Sequence, residues 1–156
     1  MSAEVRIPAP LGADFGWALR AISLEFRSGA DQAVAGLPSG GRGYLVLLAA
    51  SEDNGQSQLA IARRLGVDKT VMTYLVDALV AEGLVQREPD PSDRRIRLLV
   101  LTDAGRTRLD SARAEISAVE ERLLSALTGD DAQRFRSLLA TIAGSASAPS
   151  TECDAG

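Results

Sequence analysis

Apolar positions along the chain recur mostly every three or four residues, which is the period of an amphipathic helix. Leu11, Phe15, Ala18, Leu19, Ile22 and Phe26 follow it and predict a first helix over residues 13 to 35, preceded by the breakers Pro8, Pro10 and Gly12. Trp17, Ala21 and Leu24 fall on roughly the opposite side at about 100° per residue. The helix therefore carries two apolar stripes and expects a partner on each. Gly36, Pro38, Ser39, Gly40, Gly41 and Gly43 interrupt the pattern, after which residues 44 to 50 read as a short, well-buried helix. Asn54-Gly55 marks a turn. Ser57 suits the N-cap of a third helix over 58 to 65 that Gly66 closes, and Asp68 suits the cap of a fourth, running from Lys69 to about Glu82 and stopped by Gly83.

From Leu84 the period changes to that of strands. Residues 85 to 88 and 96 to 101 predict a two-stranded ribbon joined by the polar turn Pro89-Asp90-Pro91-Ser92-Asp93. Thr102-Asp103 then opens a long helix along which Leu109, Ala112, Ile116, Val119, Leu123 and Leu127 share one face. Thr128-Gly129-Asp130-Asp131 has the form of a capping box before a last helix with Phe135, Leu138, Leu139 and Ile142. The ends, 1–10 and 145–156, read as flexible tails, the second rich in Ser, Ala and Pro. The fold class expected is mainly α with a small β-hairpin wing.

Composition narrows the function. The chain has 156 residues, 46 % of them apolar and 24 % charged, which suits a soluble globular protein. It contains no histidine, and its one cysteine, Cys153, lies in the C-terminal tail without a basic neighbour. Zinc sites of the usual kind, histidine-based catalysis, disulfides and a thiol switch are therefore not expected, and neither a metal nor a cofactor is. The longest apolar run, residues 44 to 50, is seven long, so no membrane span is expected and the location expected is cytoplasmic. Sixteen of the seventeen cations are arginine, a skew that more often reflects a GC-rich genome than a function.

The order helix, helix, helix, strand, turn, strand over residues 44 to 101 is that of a winged helix-turn-helix. Ala62 and Gly66 support it, a small side chain where two helices cross and a glycine able to take positive φ in the turn. In the fourth helix Met72, Leu75, Val76 and Leu79 point inward, which leaves Thr70, Thr73, Tyr74, Asp77 and Ala81 outward with Lys69 at the margin. Such a face suits base edges in a major groove, although an ordinary solvated face has the same pattern. The ribbon is the more specific signal. Asp93-Arg94-Arg95 sits at its tip with Arg87 and Arg97 on its strands, suited to phosphates or a narrow minor groove. Asp93 is placed to hold the Arg95 guanidinium in a charge-assisted pair, or simply to staple the turn.

Arg63-Arg64-Leu65-Gly66-Val67, Leu75-Val76-Asp77-Ala78-Leu79, Glu82-Gly83-Leu84-Val85 and above all Asp90-Pro91-Ser92-Asp93-Arg94-Arg95, followed by Leu99, Leu101, Thr102 and Gly105, resemble the MarR family of bacterial transcriptional regulators. The resemblance covers about residues 11 to 144. It implies a winged helix-turn-helix lobe over 44–101 and a helical dimerisation region over 11–43 and 102–144. It also implies a homodimer over a pseudo-palindromic operator in double-stranded DNA, more often a repressor than an activator, and a small, often aromatic or phenolic, effector. By position, Lys69, Thr70, Thr73 and Tyr74 would lie at the groove, Ser57 and Gln58 near phosphate, and Arg95 in the minor groove. Tyr74 departs from the arginine that many relatives carry there, and the outward Asp77 is expected to pair with an arginine of the protein.

Charge agrees once it is localised. The formal net charge is −4, but residues 56 to 101 hold seven cations and six anions, so that stretch is +1 and the remainder −5. A weakly basic stretch implies modest non-specific affinity and a clear salt dependence. The first and last helices carry more apolar surface than a small winged helix can cover, which favours a dimer over a monomer whose terminal helices pack on each other. Trp17, Arg20 and Tyr44 are the candidates for an effector site, although such aromatics are commonly core or interface residues. The competing reading is a winged-helix protein-interaction module without specific DNA binding, supported by the net acidity and by Tyr74. An enzyme is least favoured, because no nucleophile, base and metal set assembles without histidine.

Overall fold

The computed structural model describes residues 14–52 and 55–146. Pro8, Pro10, Leu11, Gly12, Ala13, Asn54 and the tail from 147, with Cys153, lie outside the described residues. The element order is α1 (Phe15–Val34), α2 (Gly41–Ala50), β1 (Gln56–Ser57), α3 (Gln58–Leu65), α4 (Lys69–Ala81), β2 (Val85–Pro89), β3 (Arg97–Leu101), α5 (Asp103–Leu123) and α6 (Gly129–Ala146). The expected class, helical with a small antiparallel wing, is the one found.

Local chemistry explains most boundaries. Asp14 starts α1 by accepting from the Trp17 N–H at 2.7 Å, and Ser57 starts α3 by accepting from the Ala60 N–H at 3.1 Å. Asp68 starts α4 through the Thr70 N–H at 2.7 Å, and this bond, then that from Val71, holds its carboxyl below the usual carboxylate range. Gly66 (φ 63°, ψ 31°) ends α3 and lets the Val67 N–H reach back to the Ala62 carbonyl at 2.9 Å. Thr128 caps α6 by accepting from the Asp131 N–H at 3.3 Å, as its capping box predicts.

Several boundaries differ from expectation. α1 is Phe15–Val34 rather than 13 to 35, and β3 begins at Arg97 rather than Ile96, whose N–H and carbonyl close the wing loop on Asp93 and Asp90. α2 begins at Gly41 rather than Tyr44. Gly43 therefore lies inside a helix, where a Cβ would stand 2.0 Å from the Pro38 carbonyl oxygen. The sheet has three strands rather than two, in the order β1-β3-β2, with Gln56 opposite Leu99 and Ser57 opposite Leu98. Pro89 belongs to β2 and pairs with Arg97, which an edge strand tolerates since proline has no N–H to donate. α5 stops at Leu123, leaving Leu127 in a turn. Ser145 and Ala146, expected in the tail, close α6.

The chain divides into two compact units, one through Glu120 and one from Glu121. The core of the first is built on Val46 and Leu47 of α2, Ile61 of α3, Met72, Val76 and Leu79 of α4, and Leu99 of β3, all fully buried. Met72, Leu75, Val76 and Leu79 are the four positions that periodicity assigned inward. Fully burying a side chain of this kind contributes about 1.5–3 kcal/mol. No polar or charged residue is buried among the described residues, so this interior is held by shape and apolar area. The two halves of α1 differ: Ala33 and Val34 are buried, whereas Phe15, Leu19, Ile22 and Leu24 are exposed. The described part of the second unit is the end of α5 from Glu121, the turn that follows and α6, with Ala132 buried and Leu138, Leu139 and Ile142 exposed.

Candidate nucleic-acid interface

The inward stripe of α4 forces its other face outward, so Lys69, Thr70, Thr73, Tyr74 and Asp77 are all exposed. Tyr74 is 72 % exposed. β2 runs alongside, and a chain of polar contacts ties the two together. The Arg87 guanidinium meets the Asp77 carboxylate at 2.5 Å, and lies 3.5 Å from Gln58 Oε1, a long contact at the edge of hydrogen bonding. Gln58 Nε2 donates to the Thr73 hydroxyl at 3.1 Å, and that hydroxyl donates to the Lys69 carbonyl at 3.0 Å. The expected role of Asp77 as an internal partner is thus met, and the partner is Arg87. The strand arginine expected to reach phosphate is turned onto the recognition helix instead.

At the wing tip, Asp90 accepts from both the N–H and the hydroxyl of Ser92, at 2.7 and 2.6 Å. The hydroxyl bond, then that of the N–H, holds its carboxyl below the usual range. The Ile96 carbonyl accepts from the Asp90 N–H at 3.0 Å and closes the loop. Asp93 accepts from the Arg95 backbone N–H at 3.0 Å rather than from its guanidinium, so it staples the turn. Among the described residues no carboxylate forms an ion pair with Lys69, Arg94, Arg95 or Arg97. Arg64, at the end of α3, is held by Glu52 at 2.7 Å, and this contact with Arg64 is the main reason that the Glu52 carboxyl lies low.

Ser57 and Gln58 are half-buried at the start of α3, beside the exposed N-terminal half of α4. Of the expected DNA-facing set, the structure brings Ser57, Gln58, Lys69, Thr70, Thr73 and Tyr74 onto the two helices of the motif and Arg94 and Arg95 onto the wing tip. The effector candidates are not brought together in one copy. Tyr44 packs against the core cluster that contains Val34, whereas Trp17 and Arg20 lie about 20–25 Å along α1 from that residue at 1.5 Å per residue. Two recesses of the first unit, one beside the wing around Glu88, Leu98 and Val100 and one around Leu59 and Met72, contain none of the three.

Sequence reasoning missed the joint behind the wing. The Thr102 hydroxyl donates to the Gly83 carbonyl at 2.6 Å and accepts from the Gly105 N–H at 3.0 Å, so it binds the exit of α4, the end of β3 and the start of α5. The signal available was the pair Thr102 and Gly105 at capping-box spacing.

Two helices meeting at a glycine turn, with a polar outward face on the second and an arginine-tipped ribbon beside it, define a winged helix-turn-helix. The MarR family model matches residues 43–96. A MarR-family transcriptional regulator from Rhodococcus sp. RHA1 is 30 % identical, with a TM-score of 0.68 over 86 % of this chain and 96 % of that one. The repressor CouR bound to a 23-mer DNA duplex is 33 % identical, with a TM-score of 0.68 over 90 % of this chain and 99 % of that one. CouR from Rhodococcus jostii RHA1 has also been solved with p-coumaroyl-CoA, at 31 % identity and a TM-score of 0.67 over 86 % of this chain and 94 % of that one. Among curated proteins, the HTH-type regulator YdgJ of Bacillus subtilis is 28 % identical over 70 % of this chain. The matched stretch spans 65 % of YdgJ, just under two thirds of its length. The chain belongs to the MarR family, a family of transcriptional regulators rather than enzymes. No helix among the described residues is long and apolar enough to cross a membrane.

Proposed function

We propose that the protein is a homodimeric, cytoplasmic repressor that binds a pseudo-palindromic operator and leaves it when a small aromatic effector binds. One observation carries the DNA reading. The exposed N-terminal half of α4 stands beside a ribbon whose tip arginines, Arg94 and Arg95, pair with no carboxylate among the described residues. CouR, similar along 90 % of this chain, is a repressor solved on DNA, which supports the same use of the lobe. Residues 44–101 then form the DNA-binding lobe, and 11–43 with 102–144 the dimerisation region. Phe15, Leu19 and Ile22 of α1 and Leu138, Leu139 and Ile142 of α6 supply apolar surface for a second copy. No catalytic role is assigned.

The test is titration of the wild-type protein with the intergenic DNA upstream of its own gene against a scrambled duplex at 0.15 M salt. A preference of at least about 10³ is expected for a specific regulator. Equal affinity for the two duplexes rules the reading out and leaves the interaction module.

For the effector, Trp17 and Arg20 remain the proposed contacts, an aromatic face with a cation one turn along the same helix. CouR in complex with p-coumaroyl-CoA shows an aromatic acyl ligand on a similar fold. Trp17 is the only tryptophan, so its emission reports on its own surroundings. Titration with aromatic acids and their thioesters is expected to quench it at the concentrations that release DNA. Release without any change in emission would remove Trp17 from the site.

A further inference from the structure

We propose that base identity is read by Lys69 and Tyr74, whereas Thr73 and Gln58 are positioning residues that fasten the recognition helix to the wing through the Arg87–Asp77 pair. The inference deepens the DNA-binding reading above and rests on it.

The argument is one of donor supply. DNA phosphates are acceptors, and so are most base-edge atoms exposed in a major groove. A threonine hydroxyl has a single hydrogen to donate. That of Thr73 is already given to the Lys69 carbonyl at 3.0 Å, and its oxygen accepts from Gln58 Nε2 at 3.1 Å. Engaging DNA as a donor would cost Thr73 the bond it has. Gln58 spends one amide hydrogen on Thr73, and its oxygen faces Arg87 at 3.5 Å. Arg87 is neutralised by Asp77, and its side chain is only 33 % exposed. These four side chains are therefore tied to one another, and what they secure is the position of α4 relative to α3 and β2.

Two of the remaining outward groups are in the opposite condition. Lys69 and Tyr74 are exposed, and no side-chain hydrogen bond joins them to another described residue, whereas the Thr70 hydroxyl, like that of Thr73, is already engaged, by Asp68. The phenol is both donor and acceptor on a rigid ring, with two side-chain torsions to fix, so it gives up little entropy when it orders against a base.

The two roles separate in a selection from randomised duplexes followed by sequencing, with affinity for the selected site measured alongside. Tyr74→Ala is expected to flatten the preference at one or two base pairs of each half-site, losing about fivefold discrimination there, and to leave the other positions as in wild type. Thr73→Val and Gln58→Ala should keep the wild-type sequence preference at every position and weaken binding about threefold, the worth of one net hydrogen bond. Because the Gln58–Thr73 bond is lost in both, the losses in the double variant should fall short of the product of the single ones, and Thr73→Ser should restore wild-type affinity. Gln58→Ala carries the test if Thr73→Val unfolds.

A changed preferred base in Thr73→Val or Gln58→Ala overturns the proposal. So does an unchanged preference in Tyr74→Ala, or a double variant whose losses multiply. If the wild-type protein enriches no sequence at all, the DNA-binding reading falls, and that outcome is seen before any variant is compared.

Discussion

Replacing Gly105 with alanine is expected to destabilise the fold by about 3 kcal/mol, the upper end of what overpacking costs, and to lower the thermal midpoint by about 10 °C for a chain of this size. A Cβ at this buried position would stand 1.9 Å from the Leu84 carbonyl oxygen and 2.9 Å from its carbon. The carbonyl has little room to move, because it accepts from the Thr102 N–H at 3.1 Å and the Thr102 hydroxyl, whose hydrogen goes to Gly83, stands 3.2 Å away. Pushing it aside also weakens the N–H bond. Gly129→Ala is the control. Nothing lies within 4 Å of that position, so the same change should be neutral or slightly stabilising. Thermal unfolding of both variants checks the pair, and equal midpoints would show that the strand-to-helix joint yields.

The second large effect is on DNA. Arg94→Ala with Arg95→Ala is expected to lower operator affinity on the order of 100-fold at 0.15 M salt. In a two-fold complex the double change removes four charges, so the slope of log affinity against log salt should become shallower by roughly 3 to 4. The wing-tip fold should survive, because it is held by Asp90, Ser92, the Asp93 carboxylate on a backbone N–H and the Ile96 carbonyl, none of which uses either guanidinium. Unfolding free energy should then stay within about 0.5 kcal/mol of wild type, as for surface changes generally. An unchanged salt slope would place the wing away from the phosphates.

These expectations also show what a sequence can and cannot carry. Ser57, Gly66, Asp68 and Thr128 act on N–H groups or turns within a few residues, so the helices they bound were legible. The inward stripe of α4 was legible for a related reason, since Met72, Leu75, Val76 and Leu79 need only a helix and an apolar side to face. β1 was not, because a two-residue strand exists only through its pairing with Leu98 and Leu99, some forty residues on. Gly43 read as a breaker because its reason for being small is the Pro38 carbonyl, a contact made in three dimensions. At the site, an outward carboxylate on a DNA-facing helix implied a cation for Asp77. Which arginine it meets depends on the path of β2 past α4. The same dependence hid the commitment of Thr73 and Gln58 to each other, fifteen residues apart.

The Thr102 joint sets the gearing of the molecule. With Thr102 fastening the exit of the recognition helix to the first turn of α5, the recognition helix and the near end of α5 turn as one piece. The part of α5 within the first unit, residues 103 to 120, is about 27 Å long at 1.5 Å per residue, so a sideways shift of about 3 Å at its end is a tilt of about 6° at the joint. Such a tilt is passed to the exit of α4 through the bond from Thr102 to Gly83.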